Sequence, residues 1–215
     1  VPWPAMYAQN ERPRHPYIDA MRASQVYDQG FGGDAAKVRK VINAYFGMVS
    51  YVDDNVGQLM RTLEESGLAA DTRIVYTSDH GDNIGARGMW GKSTHYDDAV
   101  GVPMIMAGPD IAAGKRCKTP VSLVDVAPTI LHSVGEDGYA WGDGKLPGRS
   151  LMEIADTPYD AERTVFSEYH AFSSPTGAFM VRNGRWKYNY YVGFEPELFD
   201  LESDPAEKSN LVEQQ

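Results

Sequence analysis

A chain of 215 residues, 42% of them hydrophobic, can bury a sizeable core as one large domain or as one domain with a small appendage, which excludes a disordered tail. Its formal net charge of −10 argues against nucleic acid as the main partner, because phosphate binding needs a cationic face; a local positive site can still sit within a negative surface. No apolar run approaches the roughly 20 residues that span a bilayer and no signal peptide is read at the start. The single cysteine, Cys117, rules out an internal disulfide and leaves the compartment open between cytoplasm and periplasm or secretion.

The opening Val1-Pro-Trp-Pro4 lacks an initiator Met and runs polar to about Gly33, as an excerpt beginning mid-protein would. A short helix is expected around Ile18 to Val26, and His15, between Arg14 and Pro16, is expected in a surface loop. From Asp34 the pattern changes. Apolar residues recur at Val38, Val41, Ile42, Tyr45, Val49, Val52, Val56, Leu59 and Leu63 in steps of three and four, which predicts a long amphipathic helix. Asp34 suits its N-cap and Gly67 its stop, and Lys37, Lys40, Asp53, Asp54, Arg61 and Glu64 form a solvated face. The helix feeds a β-branched and aromatic run, Arg73 to Ser78, which reads as a strand buried on both faces and gives an αβ unit of a doubly wound sheet.

Asp79 and His80 stand at the C-terminal end of that strand, where ligands bind in open α/β sheets. A carboxylate beside an imidazole there, followed by Gly81, forms a pair of candidate metal ligands; a polar turn, with Asp accepting backbone bonds, is the competing reading. The next twenty residues have little apolar periodicity yet hold Arg87, Lys92, His95, Asp97 and Asp98, and a loop that long inside a compact domain is usually functional. It ends at a second apolar strand, Val102 to Ala107.

Beyond a loop at Gly108 to Gly114, a short strand is expected within Lys115 to Val121. Ser122-Leu-Val-Asp125 then offers an N-cap with an acid three residues later, opening a helix that Gly135 ends. Gly138 to Pro147 reads as a Gly-rich linker, with domains at 1–145 and 146–215. Four short strand-like runs follow, Thr164 to Glu168, Ala178 to Arg182, Trp186 to Tyr191 and Leu198 to Leu201, with Asn183-Gly184 as a hairpin turn. Glu168, Tyr169 and His170 at the end of the first run are either a surface cluster or a pocket lining.

Ser78-Asp-His-Gly-Asp82, Gly88-Met-Trp-Gly-Lys92, Val102-Pro103, Leu123-Val-Asp-Val-Ala-Pro-Thr-Ile130 and Glu197 to Pro205 with Asn210-Leu211 together resemble the sulfatase family of the alkaline phosphatase superfamily. The Asp-His pair is similar to the choline sulfatase and phosphonate monoester hydrolase branches. The resemblance covers nearly the whole chain. It implies an α/β fold: part of a doubly wound, alkaline phosphatase-like catalytic domain plus a small C-terminal antiparallel β subdomain. It implies hydrolysis of a small sulfate ester, with Asp79 and His80 as metal ligands and Lys92 as the catalytic cation on the sulfate. His95, His170 and Glu168 are the candidate substrate-binding residues. The implied cofactor is one divalent cation, calcium first; the imidazole of His80 favours borderline metals and keeps manganese as the alternative.

The departures matter as much. Nothing here matches the family's N-terminal paired Asp ligands or its nucleophile motif, in which a Cys or Ser becomes formylglycine. Cys117 fails that motif because Pro120 comes too late and no Arg follows, so it is read as structural. Two ligands do not complete a site for a hard cation. The chain alone is therefore expected to be inactive, with the N-terminal half of the same enzyme or a partner chain supplying the rest, and further copies of itself as an additional partner. A phosphonate monoester or phosphodiester hydrolase, a two-zinc phosphotransferase, and a non-catalytic fragment or degenerate remnant remain the alternatives.

Overall fold

In a computed structural model of the chain, residues 1–8, 11, 14–24, 34–136, 140–141 and 144–212 are described. They divide into two compact units: Val1–Pro109 with Tyr169–Gly177 and Tyr191–Glu195, and Asp110–Glu168 with Ala178–Tyr190 and Pro196–Gln215.

In the first unit, helix α1 (Pro16–Ser24) opens on a proline, whose missing N–H costs nothing at that position, and buries Tyr17, Ile18 and Met21. It starts two residues before the expected helix, whose end at Val26 lies outside the described residues. His15 corrects the surface-loop expectation. It is buried, its Nε2–H donating to Glu195 O at 2.8 Å with the ring 5.1 Å from Tyr191. The cause is long-range: Tyr17 stacks on Tyr191 at 4.0 Å and draws the segment inward.

Helix α2 (Ala35–Glu65) begins and ends where the sequence indicates. The Asp34 carboxylate accepts from the N–H groups of Ala36 and Lys37 at 3.0 and 3.1 Å, and Gly67 follows the C-cap in the left-handed region at φ 75°. Of its apolar stripe, Val38 and Ile42 are buried, while Val49, Val52 and Leu59 are exposed, Leu59 at 70%. Strand β1 (Ile74–Thr77) pairs antiparallel with β2 (Met104–Ala107), Ile74 opposite Ala107 and Thr77 opposite Met104. The expectation that β1 is buried on both faces is corrected: Tyr76 is exposed and its neighbours half-buried. A two-stranded ladder has an edge on each side and too little surface to enclose its strands. A single-turn helix, α3 (Asp97–Val100), precedes β2.

In the second unit, Lys115 to Val121 forms no strand; Thr119 is tied instead to Asp160, whose N–H donates to Thr119 Oγ1 at 3.1 Å. Ser122 and Asp125 form the expected reciprocal cap, leading into α4 (Val126–Ser133), which stops before Gly135 at φ 82°. Asp125 does more than cap: it is fully buried and accepts from Arg163 Nη2 at 2.7 and 2.8 Å and from Arg149 N–H at 2.8 Å. Cys117 is exposed, so it is no core residue. Within the expected linker, β3 (Ala140–Trp141) and β4 (Gly144–Lys145) form a two-residue antiparallel ladder; residues 137–139 and 142–143 lie outside the described residues. Helix α5 (Leu151–Asp156) is capped by Ser150 Oγ.

The four C-terminal strands match their sequence readings closely: β5 (Thr164–Tyr169), β6 (Ala178–Asn183), β7 (Trp186–Tyr191) and β8 (Glu197–Asp200) form one sheet in that order. Gly184, at φ 53°, makes the β6–β7 turn, and β7 and β8 run antiparallel with Trp186 opposite Asp200. Strand β7 inverts the usual arrangement, turning Lys187 and Asn189 inward and Trp186, Tyr188 and Tyr190 outward. Both inward side chains find a partner: Lys187 Nζ meets Glu207 at 2.7 Å and Asn189 Nδ2 donates to Glu197 at 3.4 Å, while Asn189 Oδ1 is buried without a hydrogen-bond donor. The architecture is α/β with a small C-terminal sheet.

Candidate active site

The site grows from the end of β1. Ser78 Oγ donates to His80 O at 2.8 Å, and the His80 N–H donates to Asp79 Oδ1 at 3.0 Å, so the turn is held by its own polar side chains. Asp79 points its carboxylate to solvent, its side chain 83% exposed. His80 Nδ1 lies 2.8 Å from Gly81 O. A carbonyl only accepts, so Nδ1 carries the proton and Nε2 is left with a lone pair. That lone pair accepts from Lys92 Nζ at 2.8 Å, with Asp79 Oδ2 3.5 Å from Nε2.

Lys92 returns to His80 because the intervening loop closes on itself. Asn83 donates to Gly91 O through both its backbone N–H (2.8 Å) and Nδ2 (2.6 Å), while Asp82 Oδ1 accepts from Ile84 (2.8 Å) and Gly91 (3.1 Å). Gly88 and Gly91 take φ 69° and 71°, conformations that a side chain would resist. The loop is bolted underneath by Arg87, which is 1% exposed: its Nη1 reaches Asp98 Oδ2 at 2.5 Å and its guanidinium lies 3.8 Å from the Tyr96 ring centre. The turn itself rests on α3, the Gly81 N–H donating to Ala99 O at 2.7 Å. Tyr45 on α2 feels the same loop; burial raises its phenol pKa, and the Asp82 carboxylate adds to the rise.

The structure thus brings Asp79, His80 and Lys92 together. His95 is buried in the same loop, where neighbouring Thr94 Oγ1 donates to Asn83 Oδ1 at 3.3 Å. His170 is exposed just beyond β5, and Glu168 is exposed on β5 in the second unit. Ser93, beside Lys92, donates to the Tyr169 hydroxyl at 2.8 Å. That bond joins positions 76 residues apart, and no local pattern in the sequence signals it. Asp79 and His80 offer one carboxylate oxygen and one imidazole nitrogen 3.5 Å apart, and the Lys92 ammonium meets the nitrogen at 2.8 Å. Among the described residues no group of three or more His, Cys, Asp or Glu side chains gathers, and two donors are fewer than a hard cation requires.

Comparison with known proteins identifies the family. The Sulfatase family model matches residues 6–136, and the model for the N-sulphoglucosamine sulphohydrolase C-terminal region matches residues 85–215. Choline-sulfatase of Rhizobium meliloti is 40% identical over 191 residues, which is 86% of this chain and 36% of that protein. The phosphonate monoester hydrolase of Silicibacter pomeroyi has a solved structure that is 27% identical, with a TM-score of 0.79 over 98% of this chain and 46% of its own. A solved 2-O GAG sulfatase, 24% identical, shares the fold with a TM-score of 0.80 over 98% of this chain and 48% of its own. The chain spans about a third of the length of the curated relatives it matches, as with choline-sulfatase at 36%. On the family match and on the ordered motifs from Ser78 to Asn210, the chain belongs to the Sulfatase family.

Proposed function

We propose that this chain carries the metal-facing and sulfate-facing part of a sulfuric ester hydrolase, with Asp79 and His80 as two ligands of one divalent cation and Lys92 as the cation that meets the sulfate. The observation that carries the reading is the convergence of Asp79 Oδ2, His80 Nε2 and Lys92 Nζ at separations of 3.5 and 2.8 Å. Asp79 supplies the hard oxygen that suits calcium, and the His80 nitrogen keeps manganese as the alternative. A bound divalent cation would supply Lewis-acid polarisation of the sulfuryl oxygens.

The chain's own residues do the rest of this part. Gly81 O, by holding the His80 Nδ1 proton, fixes the ring so that Nε2 faces outward as a donor atom. Lys92, which donates to His80 Nε2 in this structure, would turn its N–H donors to the sulfuryl and bridging oxygens, where negative charge grows as the S–O bond breaks. His95 and His170 are proposed to contact substrate, as is Glu168 in the complete enzyme. The nucleophile, expected as formylglycine, and the remaining ligands come from the N-terminal half of the same enzyme or a partner chain. The exposed α2 seam of Val49, Val52 and Leu59 supports such a partner, because an apolar helix face of that length is normally covered.

In the full-length enzyme, Lys92→Ala should lower kcat/KM for an alkyl sulfate by about 10²–10³. Nitrophenyl sulfate, whose departing oxyanion is already stable, should be affected much less. An equal loss below about threefold on both esters would overturn the role given to Lys92. A second reading, phosphonate monoester hydrolysis, is favoured by the likeness to the Silicibacter pomeroyi enzyme over nearly the whole chain. A nitrophenyl phosphonate monoester turned over faster than nitrophenyl sulfate selects it.

A further inference from the structure

We infer that Tyr169 is a positioning residue for Lys92, acting through Ser93; the inference rests on the proposed role of Lys92. Ser93 has φ 92°, a region that side chains resist and occupy where surrounding contacts enforce it. The enforcing contact is directional. The Tyr169 hydroxyl lies 2.8 Å from Phe172 O, and a carbonyl only accepts, so the phenolic proton goes there. Ser93 Oγ, 2.8 Å from Tyr169 Oη, must then donate to it, giving a relay from Ser93 to Tyr169 to the Phe172 carbonyl.

The far end of the relay is itself anchored. Ser24 Oγ, at the end of α1, donates to Met21 O at 2.7 Å and lies 3.2 Å from Ser173 O. Ser174 Oγ donates to Thr176 O, so its contact with Tyr17 Oη at 2.7 Å takes the Tyr17 proton. Segment 172–176 is thereby fastened to a helix whose Tyr17, Ile18 and Met21 are buried. Lys92 is bracketed as a result: Asn83 holds Gly91 on one side of it, and Tyr169 holds Ser93 on the other. A lysine has four rotatable carbons, and an ammonium aimed at a transition state needs its backbone end fixed. Tyr169 supplies that fixing from a segment far away in sequence.

The test uses the full-length enzyme with Lys92→Ala, Tyr169→Phe, Ser93→Ala and the Ser93→Ala/Tyr169→Phe pair, assayed on ethyl sulfate and nitrophenyl sulfate. Tyr169→Phe keeps the ring, and Ser93→Ala removes the same bond from the loop side should the first variant fold poorly. Each should lower kcat on ethyl sulfate by about three- to tenfold, the worth of one hydrogen bond, with KM little changed. Nitrophenyl sulfate should stay within about twofold, because it depends less on Lys92. The double variant should be no slower than Ser93→Ala alone, since both changes break one interaction. A uniform loss on both esters, no loss on ethyl sulfate, or additive losses overturns the inference. If Lys92→Ala slows ethyl sulfate while Tyr169→Phe does not, the inference alone falls; if Lys92→Ala spares both esters, the reading beneath it falls as well.

Discussion

Gly81 is required by proximity, and replacing it tests whether the Asp79-His80 turn is held as described. A methyl group at Gly81 would stand 2.2 Å from Asp98 O and 3.2 Å from Asp98 C, both backbone atoms of α3 that cannot swing aside. Asp98 is also pinned by the buried Arg87. Forcing the elements apart costs about 1–3 kcal/mol, as overpacking does, and losing the 2.7 Å bond from the Gly81 N–H to Ala99 O adds about 0.5–1.5 kcal/mol. Gly81→Ala should therefore destabilise the 215-residue chain by about 1.5–4.5 kcal/mol in urea unfolding, read as a shift in midpoint at constant slope. Gly47 is the internal contrast. It lies within α2 with nothing within 4 Å of an added methyl, so Gly47→Ala should stabilise by about 0.5–1 kcal/mol through helix propensity. A Gly81→Ala chain within about 0.5 kcal/mol of the parent, or a Gly47→Ala chain equally destabilised, would refute the reasoning.

Two further outcomes concern the second unit. Lys187→Met strands Glu207, which shares its burial at 1% exposure and its 2.7 Å ion pair, and should cost about 3–5 kcal/mol; adding Glu207→Gln should recover much of it in the same unfolding assay. Burial pushes the Asp200 carboxyl up, but the Ser203 hydroxyl, the Glu202 N–H and the Arg185 guanidinium outweigh it and hold the pKa below the usual 3.8. A depressed folded pKa stabilises above the unfolded value and loses that contribution as pH falls through the folded one. Asp200→Asn should therefore weaken the fold at neutral pH, with the gap to the parent closing below pH 3.8. A gap independent of pH counts against it.

What the sequence revealed depended on range. Asp34, Gly67, the Ser122/Asp125 cap and the Gly184 turn act within a few residues, and each was legible because the hydrogen bond or φ angle it serves is local. The strands of the C-terminal sheet were legible from β-branched and aromatic runs between turns, although the inward Lys187 and Asn189 defied the alternation rule because Glu207 and Glu197 receive them. His15 was misread since its partners, Glu195 and Tyr191, lie far along the chain. The α2 stripe was correctly periodic, yet periodicity states that a face needs covering and not what covers it. At the site, the spacing from Asp79 to Lys92 was readable. The Arg87–Asp98 bolt and the Ser93–Tyr169 bond were not, for both depend on the loop already being closed.

The proposed function requires a cation shared by Asp79 and His80. Elemental analysis of the purified full-length protein, after equilibration with calcium or manganese and removal of free metal, reads this directly. One tightly held divalent ion per chain in the parent, lost or greatly weakened in Asp79→Ala and in His80→Ala, is the expected result, with activity falling alongside metal content. Unchanged metal content in Asp79→Ala would contradict the assignment and leave the pair as a polar turn at the end of β1.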